Sequence, residues 1–176
     1  MKTFEFTVIA AGLDPHAEDF EGRFFDAGCD DATVAFQKGR ILVDFARDAP
    51  SLEAAIAGAI QNVRQAGAVV ERVEPDPLVN LSDMAGRADL TRAALTNYFK
   101  GARGKGFPPP RARVTTDSPL WDWADVSLWL YHQGRLSRDA AAEAAVFSAA
   151  NEVIGCEPGA FTAQLHEGVR ERLAGL

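Results

Sequence analysis

The stretch Leu81-Ser82-Asp83-Met84-Ala85-Gly86-Arg87-Ala88-Asp89-Leu90-Thr91-Arg92-Ala93-Ala94-Leu95-Thr96-Asn97-Tyr98 decides the fold of the middle of the chain. It predicts two short helices joined by a sharp turn. Ser82 is a favourable N-cap for the first helix, and the small side chain of Ala85 allows the second helix to cross it closely. Asp89 lies at the turn, where aspartate tolerates a left-handed backbone better than most residues.

The second predicted helix has a buried and an exposed side. Thr91 is its expected N-cap, and the residues that face inward are Leu90, Ala94, Leu95 and Tyr98. The residues expected to face outward are Thr91, Arg92, Ala93, Thr96, Asn97 and Lys100. Arginine can bridge the acceptor edge of guanine and asparagine can pair both ways with adenine, while threonine and lysine suit phosphate. An ordinary amphipathic helix pair with a solvated side is the alternative.

The residues after this helix carry a second set of motifs. Gly106-Phe107-Pro108-Pro109-Pro110 leads to a predicted hairpin around Val114–Pro119, and then to Asp125-Val126-Ser127-Leu128-Trp129-Leu130 on a helix. With the helix pair, this order resembles the MerR-like winged helix-turn-helix domains of the AlpA and excisionase type, over about residues 79–130. The resemblance implies that the second helix reads a groove of double-stranded DNA.

The predicted wing departs from the family pattern. Wings of related domains often carry arginines near the hairpin tip, whereas Thr115-Thr116-Asp117-Ser118 carries none and includes an acid. We therefore expect Arg111 and Arg113, on the first strand of the hairpin, to reach the DNA backbone.

The connection Lys100–Gly106 is also longer and richer in glycine than a tight turn requires. One hypothesis makes it a mobile basic loop that orders on phosphates through Arg103 and Lys105, and the alternative is an uninvolved surface loop. Trp121, Trp123 and Trp129 could form a base-stacking set, but we expect Trp121 and Trp129 in the core.

The distribution of charge along the chain agrees with DNA contact by the predicted helix-turn-helix and the residues that follow it. Residues 1–80 contain 7 basic and 14 acidic residues, a net charge of −7, and residues 114–176 contain 4 and 9, a net charge of −5. Residues 81–113 contain 7 basic and 2 acidic residues, a net charge of +5. The acidic flanks should repel DNA and confine contact to the basic stretch.

The first 76 residues predict strand, helix, strand, strand, helix, strand. The strand signals are the alternation in Thr3–Ile9 and in the hairpin on either side of Gln37-Lys38-Gly39. Ala68–Val73 is predicted as the last strand, although Val69-Val70 breaks its alternation. Helices are predicted to start at Asp14-Pro15 and after Ser51. This order is typical of a ferredoxin-like α+β module, which can serve dimerisation or the binding of a ligand or partner.

Glu74-Pro75-Asp76-Pro77 is the predicted linker, because two prolines oppose both helix and central strand. Helical signals follow Ser137 and Pro158. We therefore divide the chain into an α+β module (1–76), a winged helix-turn-helix (77–136) and a helical extension (137–176).

Several classes of protein are not expected. Histidines and the two cysteines lie in no metal-type spacing, and no nucleophile elbow, phosphate loop or dinucleotide fingerprint occurs. We therefore predict no catalytic residue, no metal and no cofactor, and hence no enzyme. There is no leader-type N-terminus and no apolar run of membrane-spanning length, so a soluble, cytoplasmic protein is expected.

The sequence therefore predicts a DNA-binding transcriptional regulator of bacterial or phage type. One recognition helix reads only a few base pairs, so a homodimer on paired half-sites is expected. Two alternatives stay open: an antitoxin-type or adaptor module whose acidic N-terminal domain holds a protein partner, and an excisionase-like factor that bends DNA.

Overall fold

The computed structural model describes residues 1–176, and their packing divides the chain into two compact units. The first unit comprises residues 1–75 and 149–170, and the second comprises residues 76–148 and 171–176. The division falls inside the predicted linker, and the C-terminal residues are shared between the two units. The fold class is α+β, with a four-stranded antiparallel sheet and seven α-helices. No helix has the length and apolar character needed to cross a membrane.

The sheet belongs to the first unit and has the strand order β2-β3-β1-β4. Its strands are β1 (Lys2–Ala11), β2 (Ala32–Gln37), β3 (Arg40–Ala49) and β4 (Val69–Glu74). Helix α1 (Phe20–Asp26) follows β1, and helix α2 (Leu52–Gln65) follows β3. The predicted order of strand, helix, strand, strand, helix, strand is therefore confirmed.

Two local signals in this unit are confirmed. Strands β2 and β3 are joined by Lys38 (φ 52°) and Gly39 (φ 78°), and two successive positive φ angles match the twist of a tight hairpin. Helix α2 begins after Ser51, whose Oγ accepts a hydrogen bond from the Ala54 N–H at 3.1 Å. Both features depend on residues that are neighbours in sequence, and for that reason they were predictable.

The first helix begins at Phe20 rather than at the predicted Asp14-Pro15. The side chain of Asp14 accepts a hydrogen bond from the His16 N–H, and its carbonyl accepts one from the Ala17 N–H. An aspartate side chain can cap a helix, but it can also bond to nearby backbone N–H groups and close a turn, as Asp14 does here. The prediction of a helix start at this proline was wrong.

Strand β4 contains an irregularity opposite β1. Ile9 pairs with Arg72 while Ala10 pairs with Val70, so Glu71 is an extra residue that forms a bulge. The bulge explains a sequence that does not alternate regularly.

A partly buried arginine, whose side chain is 12% exposed, joins elements on the helix side of the first unit. The guanidinium of Arg47 on β3 binds both carboxylate oxygens of Asp31 at 2.7 and 2.8 Å, and it also donates to the Asn62 side chain and the Gly28 carbonyl. A two-point arginine–carboxylate contact fixes both groups in one plane. Asp31 therefore has a structural role, in the polar turn between α1 and β2.

The second unit is mainly helical. Its helices are α3 (Leu81–Ala88), α4 (Arg92–Phe99), α5 (Trp123–His132) and the first part of α6 (Arg138–Val153). Strands β5 (Leu78–Val79) and β6 (Trp121–Asp122) form a two-stranded antiparallel sheet. The last helix, α7 (Phe161–Leu173), belongs mostly to the first unit and ends in the second.

One apolar core connects these helices. Its fully buried members come from β5, α3, α4, β6 and α5 and are Val79, Met84, Leu95, Trp121, Val126 and Leu130. Trp123 and Trp129 are also buried. Trp121 and Trp129 are therefore core residues, as predicted. Trp123 lies in the same core, and none of the three rings is exposed for stacking.

Candidate nucleic-acid interface

The first helix of the pair starts from a capping box. The Asn80 side chain accepts hydrogen bonds from the Ser82 and Asp83 N–H groups at 2.8 and 2.9 Å, and the Asp83 carboxylate accepts the Asn80 N–H at 3.0 Å. This reciprocal arrangement satisfies two free amides of the first turn and the N–H of the capping residue itself. The N-cap is therefore Asn80, and the prediction of Ser82 was wrong. Asparagine followed three residues later by an acid was the signal in the sequence.

The turn between α3 and α4 follows the prediction. Asp89 has φ 53° and ψ 44°, a left-handed conformation, and the Leu90 N–H bonds to the Ala85 carbonyl at 3.0 Å. Thr91 then caps α4, because its Oγ1 accepts the Ala94 N–H at 3.1 Å. A single left-handed residue reverses the chain in so few residues that α3 and α4 pack against each other.

Helix α4 is oriented by its apolar side. Leu95 is fully buried and Tyr98 nearly so, and the Tyr98 ring meets the Trp129 ring edge-on, with a centroid distance of 4.9 Å. Both rings come from predicted core positions. Because the buried side is fixed in this way, the opposite side of the helix must face solvent.

The exposed side of α4 carries the predicted contact residues. Five of the six predicted contact residues on this helix are exposed: Thr91, Arg92, Ala93, Asn97 and Lys100. Thr96 is half-buried, and its hydroxyl donates to the Arg92 carbonyl at 2.9 Å. That hydroxyl hydrogen is used within the helix, so Thr96 offers its methyl group and an oxygen acceptor rather than a donor.

The glycine-rich connection after α4 is anchored at both ends. The Ala102 and Arg103 N–H groups bond to the Asn97 carbonyl at 2.9 and 3.2 Å, and the Lys105 carbonyl accepts the Trp129 indole N–H at 3.0 Å. At Gly104, an added Cβ would lie 2.8 Å from the Trp129 ring. Glycine is therefore needed at position 104, because the backbone there packs closely against the Trp129 ring. This contact holds the loop in one conformation.

Two basic residues of this region are engaged inside the unit. Arg87 is half-buried, donates to the Asp76 carbonyl at 2.8 Å and stands over the Trp123 ring. Burial lowers the pKa of Arg87, which remains protonated. Arg111, predicted to reach the DNA backbone, donates to Asp122 at 2.7 Å, and its side chain is 50% exposed. Both arginines therefore have partners within the second unit.

The predicted hairpin is short. Ala112 and Leu120 form a single antiparallel bridge, and residues 113–119 make the connection between them. Arg113 is exposed and has φ 54°. Strand pairing continues beyond this bridge, where Trp121 and Asp122 pair with Val79 and Leu78. The hairpin is thus attached to the core through β6.

Asp122 is a structural residue whose full role only the structure reveals. It is 5% exposed, and its carboxylate accepts the Ala124 N–H at 2.8 Å as the N-cap of α5. It also accepts the Ser148 hydroxyl at 2.8 Å and the Arg111 guanidinium at 2.7 Å. A carboxylate at a helix start is readable from the sequence, whereas its partner 26 residues later is not.

Exposed cations without an ion-pair partner lie on α4, in the loop after it and in the hairpin: Arg92, Lys100, Arg103, Lys105 and Arg113. Two more, Arg135 and Arg138, lie farther along the chain. Only Asp89 and Asp117 are exposed acids in residues 86–117. A helix side with arginine, asparagine and lysine beside an anchored basic loop can bind polyanions and hydrogen-bond to base edges.

No protein-family model, no curated protein and no solved structure matches the chain.

Proposed function

We propose that the second unit is a winged helix-turn-helix domain that binds double-stranded DNA in a sequence-specific way, with α4 as the recognition helix. Arg92 and Asn97 are the base-reading residues, because their side chains match the edges of guanine and adenine. Thr91, Lys100 and the α4 amides bind phosphate, and Arg103, Lys105 and Arg113 add charge beside them. Ala93 and Thr96 supply small apolar contacts that suit a thymine methyl.

The observation that carries the proposal is the left-handed Asp89 between two capped helices. It supports a tight helix-turn-helix in which the exposed side of the second helix holds the unpaired cations. In this proposal Arg111 positions the wing through Asp122 and uses its remaining N–H donors to contact the DNA backbone. The acidic residues elsewhere discourage other modes of DNA binding.

We further propose that the first unit is a ferredoxin-like module, an assignment supported by its element order and its strand order. The whole chain would then act as a transcriptional regulator of bacterial or phage type, on paired half-sites.

The test is binding of the purified protein to DNA upstream of its own gene, followed across a salt series. We expect saturable binding that weakens steeply with salt, because each phosphate contact releases a counterion. Arg92→Ala with Asn97→Ala should lose discrimination between target and scrambled DNA by about tenfold or more, since each good base contact contributes about 1–3 kcal/mol.

A matched pair of variants separates local contact from net charge. Arg103→Ala with Lys105→Ala removes two exposed charges beside α4, and Arg135→Ala with Arg138→Ala removes two exposed charges elsewhere. The first pair should reduce the salt slope by about two phosphate contacts, and the second should leave it unchanged. Equal slopes would exclude a role for the loop. If the parent binds no DNA, the proposal fails and the adaptor alternative takes its place.

A further inference from the structure

The two edges of the four-stranded sheet are built differently. Strand β4, at one edge, has the bulge at Glu71 and the charged residues Arg72 and Glu74. Strand β2, at the other edge, reads Ala-Thr-Val-Ala-Phe-Gln and has no charge, no proline and no bulge. Proteins normally protect a free edge with charges, bulges or short strands, because an unprotected edge pairs with other chains. Only one edge of this sheet is protected.

The free edge of β2 presents unpaired backbone groups. Gln37 and Arg40 close the two-residue hairpin, and the Asp31 carbonyl accepts the Ala46 N–H, so the odd-numbered residues of β2 bond to β3. The N–H and C=O groups of Val34 and Phe36 therefore point away from the sheet. The Ala32 carbonyl points the same way, while its N–H bonds to the Cys29 carbonyl at 3.2 Å.

Apolar side chains lie along the same edge. Phe36 is 48% exposed and Phe25, on α1, is 66% exposed. A hollow of about 470 Å³ lies between α1 and β2, and its lining includes Phe24, Phe25, Ala32 and Val34. Exposed phenylalanines beside an unpaired strand are a typical sign of an interaction surface.

We propose that this edge is the homodimer interface, in which β2 pairs antiparallel with β2 of a second copy about a twofold axis at Val34. Residues directly opposite in an antiparallel pair share a face of the sheet. The register that places Val34 opposite its copy therefore keeps the helices of both copies on one side of a continuous eight-stranded sheet. It allows four backbone hydrogen bonds, two between the Val34 residues and two from Phe36 N–H groups to Ala32 carbonyls.

Side chains fit the same register. Phe36 comes to lie opposite Ala32 of the other copy, on the helix side, where the hollow between α1 and β2 can receive its ring. Asp30 comes to lie opposite Lys38 of the other copy, and both residues are exposed without an ion-pair partner. The axis repeats each contact, so two apolar and two charge contacts flank the strand pair. Charge complementarity thus selects a second copy over an unrelated strand.

Sedimentation of the full chain tests this interface without reference to DNA. We expect a species of twice the 18.9 kDa monomer mass at micromolar concentration. Val34→Pro should abolish it, because proline removes only the outward N–H and leaves the β2–β3 bonds in place. Val69→Asp, at the exposed β4 edge, is the matched control and should sediment like the parent.

A charge reversal tests the register on the exposed turn, where misfolding is not expected. Lys38→Asp and Asp30→Lys each place like charges opposite one another and should weaken dimerisation by about tenfold. Aspartate suits the left-handed backbone at position 38, and the double variant should restore the affinity of the parent. A monomeric parent, or a dimer indifferent to all of these changes, would overturn the proposal. Failure of DNA binding alone would leave it standing, because the interface is argued from the first unit only.

Discussion

Replacing Asp122 by alanine should destabilise the second unit strongly, although the residue lies outside the proposed DNA contact. Its carboxylate caps α5, receives the buried Ser148 hydroxyl and pairs with Arg111. The alanine variant removes all three hydrogen bonds at once and leaves the Ser148 hydroxyl, on a residue that is 2% exposed, without its acceptor.

The size of the effect follows from these contacts. Loss of the N-cap costs about 1 kcal/mol, and the stranded Ser148 hydroxyl costs about 1–2 kcal/mol. The Arg111 side chain is 50% exposed, so solvent screening limits its pair to about 0.5 kcal/mol. The free energy of unfolding should therefore fall by about 3 kcal/mol.

Tryptophan fluorescence in a urea titration reports on the unfolding of the second unit, because all three tryptophans lie between residues 121 and 129. Asp117→Ala, at the exposed tip of the hairpin, is the control and should change stability by less than about 0.5 kcal/mol. Ser148→Ala alone should cost about 1 kcal/mol, and adding it to Asp122→Ala should cost less than the sum. A loss below about 1 kcal/mol for Asp122→Ala would refute the reasoning.

Three further predictions concern single positions. Gly104→Ala should destabilise the second unit by about 1–3 kcal/mol, seen by the same fluorescence titration, because its Cβ would meet Trp129 at 2.8 Å and its φ is +68°; an unchanged midpoint would show that the loop is not anchored there. Asp89→Gly should keep or raise stability while Asp89→Ala should lower it by about 1 kcal/mol, since only the glycine relieves the left-handed backbone; the reverse order would argue against that conformation. Burial raises the pKa of the Cys29 thiol from its ordinary 9.0 to about 11, despite the opposing charge of Arg47. The unfolded thiol therefore ionises first, and the stability of the first unit, measured by circular dichroism, should fall as pH rises from about 9 to 11. Cys29→Ala should remove this part of the fall.

Predictions that depended on neighbouring residues were mostly confirmed. The caps at Ser51 and Thr91, the tight hairpin at Gly39 and the left-handed Asp89 all arise within a few residues of backbone. Their geometry is set by side chains that reach their own backbone and by the few conformations sterically open to it. The buried side of α4 followed from helical periodicity for the same reason.

Local chemistry failed where one residue type fits two structures. Asp14-Pro15 resembles a helix start, but the aspartate closes a turn, and Asn80 outcompetes the nearby Ser82 as a cap because Asp83 completes its box. The local alternatives differ only slightly in free energy. The free energy of packing against the surrounding chain is larger than those differences and decides between them.

The sequence by itself determined the α+β class, the order of elements in the first unit and the stretch that concentrates basic charge. Only the tertiary structure decided which of those charges have partners within the unit, since Arg111 is paired with Asp122 and Arg87 lies against Trp123. It also decided which sheet edge is protected, and it divided residues 137–176 between two units. The physical reason is that periodicity and capping act over a few residues, whereas ion pairs, bulges and free edges depend on partners that only folding brings together.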